Sequence, residues 1–295
     1  MMRRHYRTMS LTLSFAATAS SAAAQQAGGR AARCEKQLLT QLDAAKSARF
    51  FSFDLADTMR TQLRYVGARH STDSLDTQVA EFEALWRDLR PTIAFYEGTG
   101  TLVGPTVRMS YARSMEPGLV RFLARQDGVE ARSLEPTRSD EVDALLKTFT
   151  AEQLMLFFVT RPVTELRDLK RINAASLDSV LGVLLAEQHS VSGLRTTVRD
   201  PAEYRAAFRK WFADLDPFST PSGWFNPERT SAQTGSRFMN DVNRASSAFR
   251  DAYMYRLLIA AWQPGARIFA VVGRAHVSAQ APALLCFARG DSAIE

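Results

Sequence analysis

The sequence predicts an α/β fold: a mostly parallel central sheet flanked by helices, with a large helical insertion between the third and last core strands. Two observations carry this. Through residue 136, short apolar runs of strand type alternate with amphipathic helical segments, the pattern of parallel βαβ units. From Ser139 to about Ile259 apolar residues recur instead at helical spacing, and one last apolar run follows. The 295 residues, 46% hydrophobic and 23% charged, suffice for a sizeable core.

The chain opens as exported proteins do. Arg3, Arg4 and Arg7 precede a short apolar and small-residue stretch, Met9 to Ala19, and Ala22-Ala23-Ala24 fits a cleavage site. Residues 1–24 therefore read as a signal peptide whose apolar part is too short to span a bilayer, which implies a periplasmic or secreted protein. Residues 25–33 are small and polar and are expected to lack structure, with residues 34–290 forming a single α/β domain. The leader holds three arginines and no acids, so its removal lowers the net charge from +6 to +3. The remaining basic residues are interspersed with acids. They form no stripe for nucleic acid, and no later run reads as a membrane anchor. Two cysteines, Cys34 and Cys286, lie near the ends of the mature chain. In an oxidising compartment they are expected to form a disulfide tying the N-terminal segment to the last strand; two buried free thiols are the alternative.

The elements follow in order. Cys34 to Met59 looks helical, with Leu38, Leu39, Leu42 and Ala45 at helical spacing. Leu63 to Val66 is the first core strand. Asp76 to Leu89 is an amphipathic helix with Val79, Phe82, Leu85, Trp86 and Leu89 on one face, ended by Pro91. Thr92 to Tyr96 is the second strand, Leu119 to Gln126 a short helix closed by Asp127-Gly128, and Val129 to Leu134 the third strand. The insertion, about 139–239, contains helices near 141–149, 151–159, 175–187 and 202–215. Tyr204, Phe208, Trp211 and Phe212 form a stripe expected in the core. The long segment Asp216 to Gly235 carries Trp224-Phe225 and is expected to be a substrate lid. A helix from Phe238 to Trp262 leads to the last strand, Ile268 to Val272.

The chemistry concentrates at strand ends. The chain has four histidines, and His5 falls in the leader. Two of the other three share one frame, Gly67-Ala68-Arg69-His70 after the first strand and Gly273-Arg274-Ala275-His276 after the last. In open α/β sheets ligands bind beyond the C-terminal strand ends. The second strand ends at Glu97 and the third at Glu135, so four strands hand titratable groups to one edge. Glu135 alone would read as a solvated loop residue. His189, at a helix end, reads as a partner of the helix dipole, and Ser71 lacks the G-x-S-x-G context of a nucleophile.

These motifs resemble the superfamily that joins the erythromycin esterases, the ChaN haem–iron proteins and the TraB/PrgY/GumN proteins with the Tiki proteases. The resemblance rests on the paired G-x-x-H strings, on Phe95-Tyr96-Glu97-Gly98, on Ser133-Leu134-Glu135-Pro136 and on Arg250-Asp251-Ala252-Tyr253-Met254. It covers residues 60–136 and 240–287. Ala68-Arg69 stand where esterase-like members place an acid beside the glycine.

Two chemistries are open to such a set. In one, His70, Glu97, His276 and Glu135 are general acids and bases around a polarised carbonyl, with Arg250 steadying an oxyanion or a substrate carboxylate. In the other, His70, Glu97 and His276 hold a divalent metal ion that supplies hydroxide. The resemblance implies hydrolysis in both cases, of an ester or a peptide, in a small-molecule or peptide substrate. Its ChaN branch implies the alternative, a haem- or iron-binding periplasmic protein without catalysis, with Tyr65 and Tyr96 near the histidines. Arg69 adjoins His70 and is expected to favour its neutral form. Arg69 and Arg274 together are expected to bind an anionic substrate.

Overall fold

The computed structural model describes residues 27–46, 51–71, 73–100, 102–213 and 215–290. The expected signal peptide, 1–24, lies outside them. Residues 27–35 form a helix, α1, where a structureless start was expected. Alanines favour helix there, and the segment is fastened: Cys34 bonds Cys286, Arg30 stacks over the Phe287 ring, and the Tyr255 hydroxyl donates to the Ala31 carbonyl. The disulfide expected between the two cysteines is thus present. Its far end, however, lies on a helix that follows the last strand, not on the strand itself.

The segment read as one helix from Cys34 to Met59 divides. After α1 comes the short helix α2 (Gln41–Ala44), capped by Thr40, and then the strand β1 (Ser52–Ala56). β1 is the antiparallel edge of a five-stranded sheet ordered β1-β2-β5-β3-β4. The other four strands, β2 (Gln62–Ala68), β3 (Ile93–Tyr96), β4 (Glu130–Ser133) and β5 (Arg267–Gly273), run parallel, as the sequence predicts. The last strand inserts between β2 and β3. Ala68 pairs with Gly273, Val271 with Tyr96, and Tyr96 with Ser133, so the four C-terminal ends align.

Strand side chains alternate between two layers. Val66, Ala68, Ala94, Tyr96, Phe269 and Val271 pack against α3 (Thr77–Leu89) and α4 (Val107–Asp127). Leu63, Tyr65, Phe95, Ile268, Ala270 and Val272 pack against α10 (Met239–Ala260) and α11 (Arg274–Arg289). α3 buries Val79, Phe82, Trp86 and Leu89, and stops at Arg90, a left-handed C-cap before Pro91.

The insertion builds its own apolar core from α5 (Arg138–Leu145), α6 (Ala151–Asp168), α7 (Leu177–Gln188) and α8 (Pro201–Phe212). Tyr204, Phe208 and Phe212 are buried in it, with Trp211 packed alongside. Trp224 is buried there too, and Phe225 packs against it, so the expected aromatic lid is a structural segment. Short turns at Pro217–Ser219 and Ser222–Phe225 and the helix α9 (Ser231–Thr234) fill this stretch. The Asn240 side chain donates to the carbonyls of Gly223 and Asn226 and holds it down. α10 belongs to both cores: Met239 and Val242 lie in the insertion, Met254, Tyr255 and Leu258 against the sheet. Among the described residues no helix is long and apolar enough to cross a membrane.

Candidate functional site

Four strand ends and the helices α4 and α10 bring seven ionisable side chains together. The glycines of both motifs are set by close approach. A Cβ on Gly67 would lie 2.3 Å from the Phe51 carbonyl oxygen. A Cβ on Gly273 would lie 2.5 Å from Nε2 of His70, so the glycine of the second motif makes room for the histidine of the first. Beyond this the motifs diverge. His70 sits in a loop with φ +52°, a left-handed backbone that few non-glycine residues adopt. Its side chain is 48% exposed. Gly273 instead caps α11, and His276 lies in the first turn of that helix with its side chain only 7% exposed.

Glu97 stands between them. Its Oε1 is 3.3 Å from His276 Nε2, and its Oε2 is 3.8 Å from His70 Nε2 and accepts from the Gly273 N–H at 2.6 Å. That contact places the carboxylate at the N-terminus of α11, where the helix dipole favours an anion. Arg250, on α10, donates to Glu97 Oε1 at 2.6 Å and to both oxygens of Glu135 at 2.5 and 2.9 Å. Glu135 also accepts from the Gly98 N–H. The neighbouring Asp251, 1% exposed, accepts from His276 Nδ1 at 2.7 Å and from Gln280, which in turn accepts from Tyr65.

Three participants carried no signal strong enough to be assigned a role from sequence. Glu116, 3% exposed, has Oε2 at 3.4 Å from His70 Nδ1. It lies where α4 kinks: Ser114 and Met115 leave helical geometry, Met115 at φ +50°, just before Pro117. A proline preceded by a carboxylate within a helical run was the available signal. Asp251 stands inside the quoted Arg250-Asp251 string and was given no role. Gln41, on α2, places Nε2 3.1 Å from His276 Nδ1 and covers that side of the ring.

Burial works against charge on His276, but Glu97 and Asp251 outweigh it and push its pKa up to about 10. Burial would raise Glu97; the charges of His276, Arg250 and His70 hold it well below the usual carboxylate range. The hydrogen bond to Glu116 raises His70, against desolvation, with further help from the Glu97 charge. Arg69 was expected to favour a neutral His70. Instead it pairs with Asp76, the N-cap of α3, and Glu116 governs the ring.

Among the described residues no group of three or more His, Cys, Asp or Glu side chains is arranged to hold a metal ion. The expected ligands His70, Glu97 and His276 are adjacent, yet the donor atoms of Glu97 and His276 are engaged. The Arg250 cation occupies Glu97, and His276 turns one nitrogen to Glu97 and the other to Asp251.

A cavity of about 620 Å³ opens at this edge, lined by His70, Glu97, Glu116, Glu135 and Arg250 and, from the insertion, by residues of α5, α6 and α7. His276, Arg69 and Arg274 are not in its lining. Arg274 stacks over Phe51 and borders a separate, smaller cavity. The side chain following or preceding a motif residue points elsewhere, so neither arginine faces this cavity. Tyr65 is fully buried, and Tyr96 is buried and accepts a hydrogen bond from Arg121; neither lines the cavity. His189 donates through Nε2 to the Val198 carbonyl and is not among the residues that line this cavity. No protein-family model, no curated protein and no solved structure matches the chain.

Proposed function

We propose that the chain is an exported hydrolase of ester or peptide bonds, related to the superfamily whose paired motifs it resembles, with His70 as the group that activates water. The observation that carries this reading is the inequality of the two imidazoles. Both come from the same motif, but only His70 is half-exposed and faces the 620 Å³ cavity. With Nδ1–H donated to Glu116, its Nε2 is left to take a proton from water. His276, buried and held protonated at neutral pH, is a fixed positive charge that keeps Glu97 ionised and in place. Arg250 clamps Glu97 and Glu135 through Nε and Nη2. Its Nη1 takes part in none of these bonds and is available to an oxyanion developing in the cavity.

The test is hydrolysis of a panel of aryl esters and short peptides by the mature protein. His70→Asn is expected to lower kcat/KM by about 10²–10⁴, with the fold retained. Because Glu116 raises the His70 pKa, activity should climb with pH through a midpoint above the ordinary 6.5, and Glu116→Gln should move that midpoint down. Full activity in His70→Asn rejects the reading. An absorbance titration with haemin serves as the competing measurement: a Soret shift lost in His70→Asn, without hydrolysis, favours the haem-binding alternative.

A further inference from the structure

The wall that the insertion contributes to the cavity carries a recognition element of its own. The Arg138 guanidinium lies over the Phe158 ring, 4.3 Å from its centroid, and donates through Nη1 to Glu141 Oε2 at 2.6 Å. Phe158 and Glu141 are 5% and 6% exposed, whereas the Arg138 side chain is 47% exposed. The Ser246 hydroxyl donates to the other oxygen of Glu141 and fixes the carboxylate from behind. An aromatic face beside a buried carboxylate is the arrangement that holds a guanidinium or ammonium ion. Here its fixed parts belong to the core, and the cation in it is a surface side chain at the first position of α5.

The charge around it agrees. Glutamates lining the cavity outnumber arginines six to three. Arg250 is taken by Glu97 and Glu135, and Arg161 by Glu165 and Asn243. The field in the cavity therefore favours a cation, although the chain as a whole carries a net charge of +6.

We propose that Phe158 and Glu141 form a subsite for a guanidinium or ammonium group of the substrate, filled in the free protein by Arg138 as an internal competitor. This rests on the reading that the cavity receives the substrate. A ligand cation displaces Arg138 into solvent, a low-cost move for a long, half-exposed side chain.

The experiment is calorimetric titration with n-butylguanidinium and with n-butylurea, its neutral near-isostere. Butylguanidinium is expected to bind in preference to butylurea. Arg138→Gln removes the competitor and should tighten butylguanidinium about fivefold while leaving butylurea unchanged. Glu141→Gln should abolish the preference, with circular dichroism checking that the variant is folded. Equal binding of the two probes, or no gain in Arg138→Gln, overturns the subsite. Neither probe can be hydrolysed at this site, so the result is independent of catalysis. A protein that binds butylguanidinium selectively but cleaves no ester or peptide keeps the subsite and loses the hydrolase.

Discussion

One four-residue frame yields two histidines with opposite electrostatics. His70 is fastened through a single carboxylate and remains open to the cavity, while His276 is enclosed by Glu97, Asp251 and Gln41. The difference sets a pH dependence of stability. The folded value of His276, about 10, lies above its ordinary 6.5. Its contribution is thus complete below about pH 6.5 and is lost as pH rises toward 10, because the unfolded chain gives up the proton first. The melting temperature should fall across that window, and His276→Gln should flatten the fall; an unchanged slope in the variant would assign it to other groups. The sequence made His70, Glu97, Glu135, His276 and Arg250 legible, because strand ends and a repeated motif mark them. It did not reveal Glu116, whose approach depends on a kink forty-six positions along the chain from His70. It did not show that Arg69 and Arg274 turn away from the cavity, since neighbours in sequence turn to different sides of an extended segment or a helix.

At the scale of elements, the junction between β5 and α11 is the tightest joint of the site. Gly273 has φ −60°, which alanine adopts without strain. The methyl of Gly273→Ala would meet the exposed end of the His70 ring, which can swing away, rather than backbone. The expected outcome is at least a tenfold loss of activity with a melting temperature within a few degrees of the parent, read by assay and thermal denaturation. A large loss of stability would mean that the ring cannot move. Three of the four parallel strands, β2, β3 and β5, were readable because each is a short, mostly buried apolar run; the edge strand β4 is exposed to half-buried and was marked instead by Val129 and Leu134 at its ends and by the Glu135-Pro136 stop. β1 was not: its residues alternate between exposed and half-buried, and Phe53 and Leu55 alone could not be told from a helical face. The lid reading failed for a related reason. Trp224 and Phe225 sit among loop-forming residues, but the insertion has an apolar core that receives them.

At the scale of the molecule, the N-terminal segment is a strap closed by the Cys34–Cys286 bridge across 252 positions. The Leu39 N–H donates to the Ala279 carbonyl, and Gln41 then reaches His276. Reduction of the bridge should cost about 2–5 kcal/mol, measurable as a lower denaturant midpoint with reductant present. An unchanged midpoint would show that the strap holds through its packing alone.

The cavity has two owners. The strand ends that carry His70, Glu97 and Glu135 belong to the sheet, whereas the facing wall belongs to α5, α6 and α7. Only α10 is shared, and it delivers Arg250 midway between the two cores. If the cavity serves the proposed hydrolysis, substitutions among the three outer helices would retune what is admitted without disturbing the groups at the strand ends, so a lineage of such proteins would change diet while keeping one set of reacting groups.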